Sequence, residues 1–164
     1  GDWGGGGREG GGWWGLGEGG GHADADGVVM MDGDGRPEPG TLESFGGRDR
    51  SSHDAWVTAV RYPSGGICEM NRPWINPFRS IAGFFRGLTG GRGGFHIDDA
   101  AYAGTEPLEI DGGSFVGMFW SRRAIARAGL PQGRLFLYGG VVLSCLALGR
   151  AGGATGALPC RGAG

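Results

Sequence analysis

Glycine fills 41 of the 164 positions of this chain, and no other feature constrains the possible folds as strongly. Together with 8 prolines, glycine brings the chain into the composition range of low-complexity or disordered proteins. Thirteen of the glycines lie within residues 1–21, whereas residues 48–64 contain none, which excludes the regular repeat of collagen. The remaining sequence is rich enough in hydrophobic residues, 39% of the whole chain, to build a core.

The charges and cysteines exclude several classes of protein. The chain has 15 basic residues, all of them arginine, against 17 acidic residues, so its net charge of −2 creates no strong field for nucleic acid. Cys68, Cys145 and Cys160 are odd in number and show no Cys-x-x-Cys spacing, which indicates neither a disulfide framework nor a zinc site. We therefore expect a cytoplasmic protein without a nucleic-acid partner.

Neither a membrane span nor a signal peptide is predicted. Residues 135–149 carry no charge, but this segment is shorter than the roughly 20 residues that cross a bilayer. The N-terminus lacks the basic and apolar segments of a signal peptide, and it does not begin with Met. We expect the chain to be part of a longer one.

Apolar patterning predicts strands that alternate with helices. The predicted strands span residues 28–31, 55–62, 67–70, 110–119 and 135–138. The predicted helices span residues 41–45, 121–128 and 142–149. The first strand is short and wholly apolar, as buried strands of parallel sheets are. A turn is expected at residues 63–66, and Gly129 is expected to cap the second helix.

This alternation predicts an α/β fold with three regions along the chain. Residues 1–22 are expected to be a Gly-rich loop region, residues 23–153 the folded domain and residues 154–164 a flexible C-terminal tail. Residues 71–94 have poor periodicity and are expected to form an irregular insertion.

Two carboxylates follow the first predicted strand. Asp32 and Asp34 stand two positions apart at its carboxyl end, where α/β sheets bind their ligands. Such a pair can share a divalent cation and leave other coordination positions for waters and a diphosphate. An exposed Asp-Gly turn is the alternative interpretation of the same residues.

The surroundings of these aspartates resemble a known enzyme family. Residues 28–39 resemble the signature of family 2 glycosyltransferases with the GT-A fold, in which a strand ends in an Asp-x-Asp motif followed by a small residue and Pro. A second block at residues 111–119, followed by Arg123 and by residues 128–131 and 135–139, resembles the acceptor segment of bacterial galactofuranosyl- and rhamnosyltransferases. The two blocks together cover most of residues 25–153.

The resemblance implies a partial GT-A fold, a Rossmann-like mixed sheet with flanking helices. It also implies an inverting transfer of sugar from a UDP- or dTDP-sugar to a glycan or lipid-linked acceptor, in the synthesis of cell-envelope polysaccharide. Mn²⁺ or Mg²⁺ is the implied cofactor, and peripheral association with the inner face of the plasma membrane is expected.

Particular site residues follow from the same resemblance. It assigns donor binding to Asp32, Asp34 and Arg36, of which Asp32 and Asp34 are also the metal ligands. It assigns acceptor binding to Asp111, Phe115, Phe119 and Trp120. From the residues alone, the pair Phe119-Trp120 fits stacking on a sugar and packing in a core equally well.

The chain departs from the family at the position where catalysis needs a carboxylate as general base. The family has an acidic pair after residues 136–139, one member of which is the general base, and here Gly140 and Val141 stand there. Gly33 likewise replaces a common Asp, and the units that bind the nucleoside are expected to be missing before Asp32. The chain also ends at Gly164, before the His that often completes the family's metal site.

We therefore expect an impaired, glycosyltransferase-like fragment, for which no catalytic residue is assigned. The alternative is a noncatalytic, Gly-rich and partly disordered chain that binds other macromolecules.

Two further groups of polar residues have plain structural interpretations. Asp98 and Asp99, which follow His96, are expected to form an exposed turn rather than a metal site. Arg122 and Arg123 are expected to be solvated on a helix, with contact to a phosphate or to a lipid-linked acceptor as the alternative.

Overall fold

The structure is a computed structural model, which describes residues 27–31, 37, 39–46, 51–104, 106–129 and 138–158. Asp32, Asp34 and Arg36 lie outside the described residues, as does the predicted loop region 1–22. The same holds for residues 135–137 of the last predicted strand.

Five short strands form one mixed sheet in the order β1-β4-β2-β5-β3. They are β1 (Gly27–Met30), β2 (Ala55–Thr58), β3 (Leu108–Ile110), β4 (Met118–Ser121) and β5 (Thr155–Leu158). Strand β4 runs antiparallel to both β1 and β2, while β5 runs parallel to β2 and antiparallel to β3. The predicted α/β class is thus confirmed, but β1 is antiparallel to its neighbour and not the parallel strand expected.

The helices flank this sheet. They are α1 (Thr41–Gly46), α2 (Ile81–Thr89), α3 (Asp99–Tyr102), α4 (Arg122–Ala128) and α5 (Tyr138–Arg150). Helix α4 has the ends that its sequence predicts: the Ser121 hydroxyl accepts a hydrogen bond from the N–H of Ala124, and Gly129 takes a positive φ of 75°. Helix α1 likewise confirms the helix predicted over residues 41–45.

Strand β5 corrects the prediction of a flexible tail over residues 154–164 as far as Leu158, and residues 159–164 lie outside the described residues. All four of its residues are buried, and it lies between β2 and β3 in the sheet. Gly156 makes this possible, because a Cβ added there would lie only 2.7 Å from the ring of Trp56. From the sequence alone, a glycine that close packing requires cannot be distinguished from a glycine in a flexible tail. The prediction was wrong for this reason.

Residues 110–119 do not form the single strand expected. Strand β3 ends at Ile110 and β4 begins at Met118, with a turning segment in between. In that segment Gly117 has a φ of 68° and lies directly against the Thr58 side chain, where a Cβ would collide with the hydroxyl. The glycines break the extended run that apolar patterning had suggested.

The predicted strand 55–62 is also shorter than expected, and the strand predicted over residues 67–70 does not form, because Glu69 and Met70 lie in a 3-10 turn. Strand β2 ends at Thr58, and only an isolated bridge between Arg61 and Ile67 joins the two arms. The turn itself is confirmed, since the N–H of Tyr62 donates to the Gly66 carbonyl at 2.8 Å.

Two helices occupy places where the sequence had predicted other structure. The expected irregular insertion at residues 71–94 contains α2, preceded by a 3-10 turn at Pro77–Arg79. Helix α5 includes Tyr138, which had been assigned to a strand. The chain turns after the helix ends at Arg150, where Gly152 has a φ of 75°.

Side chains alternate across the sheet and build a core on each face. On one face Met118 and Trp120 join a large cluster with Val57, Tyr102 and Leu148. On the other, Phe119 joins a smaller cluster with Trp56 and Leu158, on which Phe45 of α1 packs.

Two of the cysteines lie buried as free thiols. They are Cys68 and Cys145, and burial raises the pKa of Cys145 to about 11. Cys145 therefore acts as a small apolar residue of the large core cluster, whereas the sulfur of Cys68 accepts a hydrogen bond from the side-chain amide of Asn71 at 3.2 Å.

A buried aspartate connects three elements at the amino end of β2. Asp54 lies 3.0 Å from Arg123 and 3.7 Å from Arg127, both on α4. Its carboxylate also accepts from the N–H of Ala154, just before β5, at 3.2 Å. Asp54 thereby fixes where α4 and β5 join β2.

Replacing this aspartate tests its role. Asp54→Ala removes the partner of the partly buried N–H of Ala154 and leaves Arg123 and Arg127 without this carboxylate, so it should lower the free energy of unfolding by about 1–3 kcal/mol. Chemical denaturation followed by circular dichroism measures the change, with the exposed Glu106→Ala as control, expected to shift it by less than about 0.5 kcal/mol. Equal effects of the two substitutions would contradict this role.

Candidate functional site

The carboxyl ends of β1 and β2 lie at the edge of the sheet where β4 begins. Met118 is the register partner of both Met30 in β1 and Val57 in β2. The backbone N–H of Thr58 donates to the Gly117 carbonyl at 3.0 Å, which joins β2 to the turn before β4. Because β1 ends at Met30, the chain leaves the sheet at Met31, beside this turn.

Two of the expected acceptor residues lie in or beside the segment that precedes β4. Asp111 is engaged: it accepts from the N–H of Asn76 at 2.7 Å and lies 3.1 Å from Arg79. Arg79 also lies 3.2 Å from Glu109, so these contacts hold the Pro77–Arg79 turn against the end of β3. Phe115 is half-buried and packs against the large core cluster.

The other two expected acceptor residues lie on opposite faces of the sheet. Trp120 is 1% exposed, and its indole N–H donates to the Gly129 carbonyl at 3.3 Å. Its side chain is thus a core residue and is not available to stack on a sugar, which corrects that assignment. Phe119 faces the smaller cluster and stacks on Phe45, with ring centroids 3.5 Å apart.

A groove of about 530 Å³ lies on the face of the sheet that carries Phe119. Its floor includes Phe119 and Trp56, and its rim is formed by Ser51, His53, Ser121, Arg122 and Arg123. The Nε1 of Trp56 is buried and has no hydrogen-bond partner among the described residues. The volume falls within the range of small-ligand sites.

This groove is separate from the edge where Asp32 follows β1. It is lined by Gly27 and Ser121, which pair at the amino end of β1, and by His53, which precedes β2. Arg123 is not simply solvated, because it pairs with Asp54 and donates to the carbonyls of Ser51 and His53 at 3.0 and 2.9 Å. It holds the rim in place.

The position expected to carry the general base faces the core. Gly140 and Val141 lie in the first turns of α5, and both are buried. Val141 is 5% exposed and belongs to the large cluster, while the carbonyl of Gly140 accepts from the Ser144 hydroxyl at 2.8 Å. A carboxylate at position 141 would therefore enter an apolar interior.

The described ranges contain no group of three or more side chains able to hold a metal ion. Asp98 and Asp99 are exposed as expected, but they begin α3 rather than form a turn. Asp98 accepts from the N–H of Ala101 at 2.7 Å, and Asp99 pairs with Arg72 at 2.6 Å. The Mn²⁺ or Mg²⁺ site at Asp32 and Asp34 falls outside these ranges and stays a prediction.

Over the same ranges, none of the helices has the length and apolar character needed to cross a membrane.

Sequence reasoning missed Asp54 and the groove. A buried ion pair between residues about seventy positions apart leaves no local pattern, and the groove depends on which residues of β4 and β2 share a face. The alternation of Phe119 and Trp120 along a strand was the one available signal.

None of the protein families, curated proteins or solved structures with which the chain was compared matches it.

A buried position in α5 can be tested against its exposed neighbour. Val141→Asp should lower the free energy of unfolding by about 3–5 kcal/mol at neutral pH, because an unpaired charge would enter the core. Burial would raise the pKa of the new carboxyl group, so the loss should shrink as the pH falls toward about 4 and the group protonates.

Val142→Asp is the matched control, since Val142 is 37% exposed in the same helix turn. Its loss should be below about 1 kcal/mol and nearly independent of pH. Similar losses for both variants in urea denaturation at two pH values would show that Val141 does not face the core.

Proposed function

We propose that this chain is a glycosyltransferase-like domain that binds a nucleotide-sugar, UDP- or dTDP-linked, beside a glycan or lipid-linked acceptor, and that its transfer activity is impaired. Synthesis of cell-envelope polysaccharide at the inner face of the plasma membrane is the proposed setting. The GT-A fold is part of the proposal, and the mixed sheet with flanking helices supports it at the level of fold class.

One observation carries the proposal. The two sequence blocks that resemble family 2 glycosyltransferases are about eighty residues apart in the chain, yet β1 of the first block pairs directly with β4 of the second. The pairing ends with Met30 opposite Met118, so the chain leaves β1 beside the turn at Gly117. Distant blocks that share one edge of a sheet are what a common binding site requires.

Asp32 and Asp34 are the proposed ligands of Mn²⁺ or Mg²⁺, and their oxygen donors fit the preference of such hard cations. When bound, the ion would supply positive charge for a leaving diphosphate. Arg36 follows the aspartates, and its planar guanidinium suits a phosphate oxygen.

The proposed impairment follows from the residues at the expected base position and from the contacts of Asp111. An inverting transfer needs a group that takes the proton of the attacking hydroxyl. Gly140 and Val141 have no such group, and the carboxylate of Asp111 is held by Arg79 and by the N–H of Asn76. The proposal is therefore binding of the donor with little turnover.

Metal binding tests the role of the acidic motif. Asp34→Ala removes one of the two proposed carboxylate ligands, Asp32 and Asp34, and should weaken Mn²⁺ binding roughly tenfold, or by about 1.4 kcal/mol. Electron paramagnetic resonance of free Mn²⁺, titrated with and without UDP, gives the dissociation constant. The control is Glu106→Ala, which removes an exposed carboxylate elsewhere and should leave the constant unchanged; unaltered binding by Asp34→Ala would refute the assignment.

Turnover tests the impairment. Release of UDP or dTDP from the sugar nucleotides, measured with Mn²⁺ and a lipid-linked acceptor, should not exceed the rate without protein. The double substitution Gly140→Asp and Val141→Asp should not restore it, because position 141 points into the core. Nucleotide release by the unaltered chain at a rate typical of enzymes would overturn the claim of impairment.

A further inference from the structure

Helix α2 and the turns on either side of it expose an unusual number of large apolar side chains. Six of them form what we term the apolar ridge: Phe78, Ile81, Phe84, Phe85, Leu88 and Phe95. Their exposed fractions run from 39% for Phe95 to 80% for Ile81. Single exposed apolar residues are common on proteins, but a contiguous group marks an interaction surface.

The ridge exists because α2 packs through glycine against the turns on either side of it, Pro77–Arg79 and Gly91–Phe95. A Cβ at Gly83 would lie 2.5 Å from the Pro77 carbonyl oxygen, and one at Gly94 would lie 2.7 Å from the Cα of Gly87. The inward side of the helix is therefore formed by its smallest residues. Ile81, Phe84, Phe85 and Leu88 recur at the spacing of one helical face, and that face points to solvent.

Local contacts hold this arrangement in place. The hydroxyl of Ser80 accepts from the N–H of Gly83 at 3.0 Å and begins the helix. Within the ridge, the ring of Phe78 lies 6.1 Å from that of Phe84 and 6.2 Å from that of Phe95, centroid to centroid. The apolar surface is thus assembled before any partner binds.

The segment that carries the ridge has charged residues of one sign only. Residues 71–97 contain four arginines and no acidic residue, in a chain whose net charge is −2. Arg72 and Arg79 form ion pairs with acidic residues outside this segment. Arg86 lies within α2, is exposed, and has no ion pair within the described part of the chain.

We propose that the apolar ridge is the surface by which the protein lies on an anionic lipid bilayer. A short helix with an apolar stripe, large aromatic residues and nearby arginine binds in the headgroup region of membranes. Each basic residue near an anionic surface adds to the attraction. A second copy of the chain fits less well, because two such segments face to face would bring arginine against arginine.

The inference rests on this surface alone and would stand if the chain transferred no sugar. Its test is flotation with vesicles of phosphatidylcholine, with or without phosphatidylglycerol. The chain should float with the anionic vesicles, bind the zwitterionic ones more weakly and dissociate as salt is raised. The double variant Phe85→Ser and Leu88→Ser should lose about tenfold or more in partition coefficient, since it removes two large side chains from the contact.

The matched control removes two exposed apolar side chains elsewhere. Met70→Ser with Leu143→Ser, at residues 63% and 49% exposed, should bind vesicles as the unaltered chain does. Circular dichroism checks that both double variants fold, and Arg86→Glu, which leaves the ridge intact, should selectively weaken binding to the anionic vesicles.

Three results would overturn the proposal. They are failure of the unaltered chain to bind anionic vesicles, an equal loss in the control variant, and self-association in analytical ultracentrifugation that depends on Phe85 and Leu88 while lipid binding is absent. The last would assign the ridge to a second copy of the chain.

Discussion

Strand β4 is the constraint on which the rest of the structure depends. It is antiparallel to both of its neighbours, β1 and β2, and so fixes the register of each. Its alternating side chains place Trp120 in one core and Phe119 in the other, so a shift by one residue would exchange the two faces. The end of the strand passes directly into α4 through Ser121, which both ends β4 and caps the helix.

This arrangement separates three surfaces with different chemistry. The edge at Met30 and Gly117 is the proposed place of the acidic motif, the groove on the Phe119 face opens toward the amino ends of β1 and β2, and the apolar ridge belongs to α2. Burial of Val141 bears directly on the proposed function. Under that proposal, impairment is more than the loss of one side chain, because the helix presents position 141 to the core.

Prediction from sequence succeeded where a local signal decides the structure. Ser121 and Gly129 mark the two ends of α4, and residues 62–66 form the expected turn. Prediction failed where the partner is distant in sequence. Strand β5 could not be recognised from its composition, because Gly156 is required by the ring of Trp56, one hundred residues earlier.

The candidate site also has parts that could be recognised from the sequence and parts that required the fold. The acidic motif and the second block were recognisable as sequence, but their pairing through Met30 and Met118 was not. The role of Asp54 also needed the fold, since its partners Arg123 and Arg127 come from a helix far along the chain. Helix α2 was missed because its glycines disfavour a helix when considered alone, although they are what allows it to pack.

The pairing of β1 with β4 is the central claim, and nuclear magnetic resonance of the labelled chain tests it most directly. The account predicts a dispersed spectrum with cross-strand nuclear Overhauser effects between the backbones of Val28 and Trp120 and of Val29 and Phe119. A spectrum of random-coil shifts, or a folded spectrum in which β1 shows no contact with β4, would contradict it.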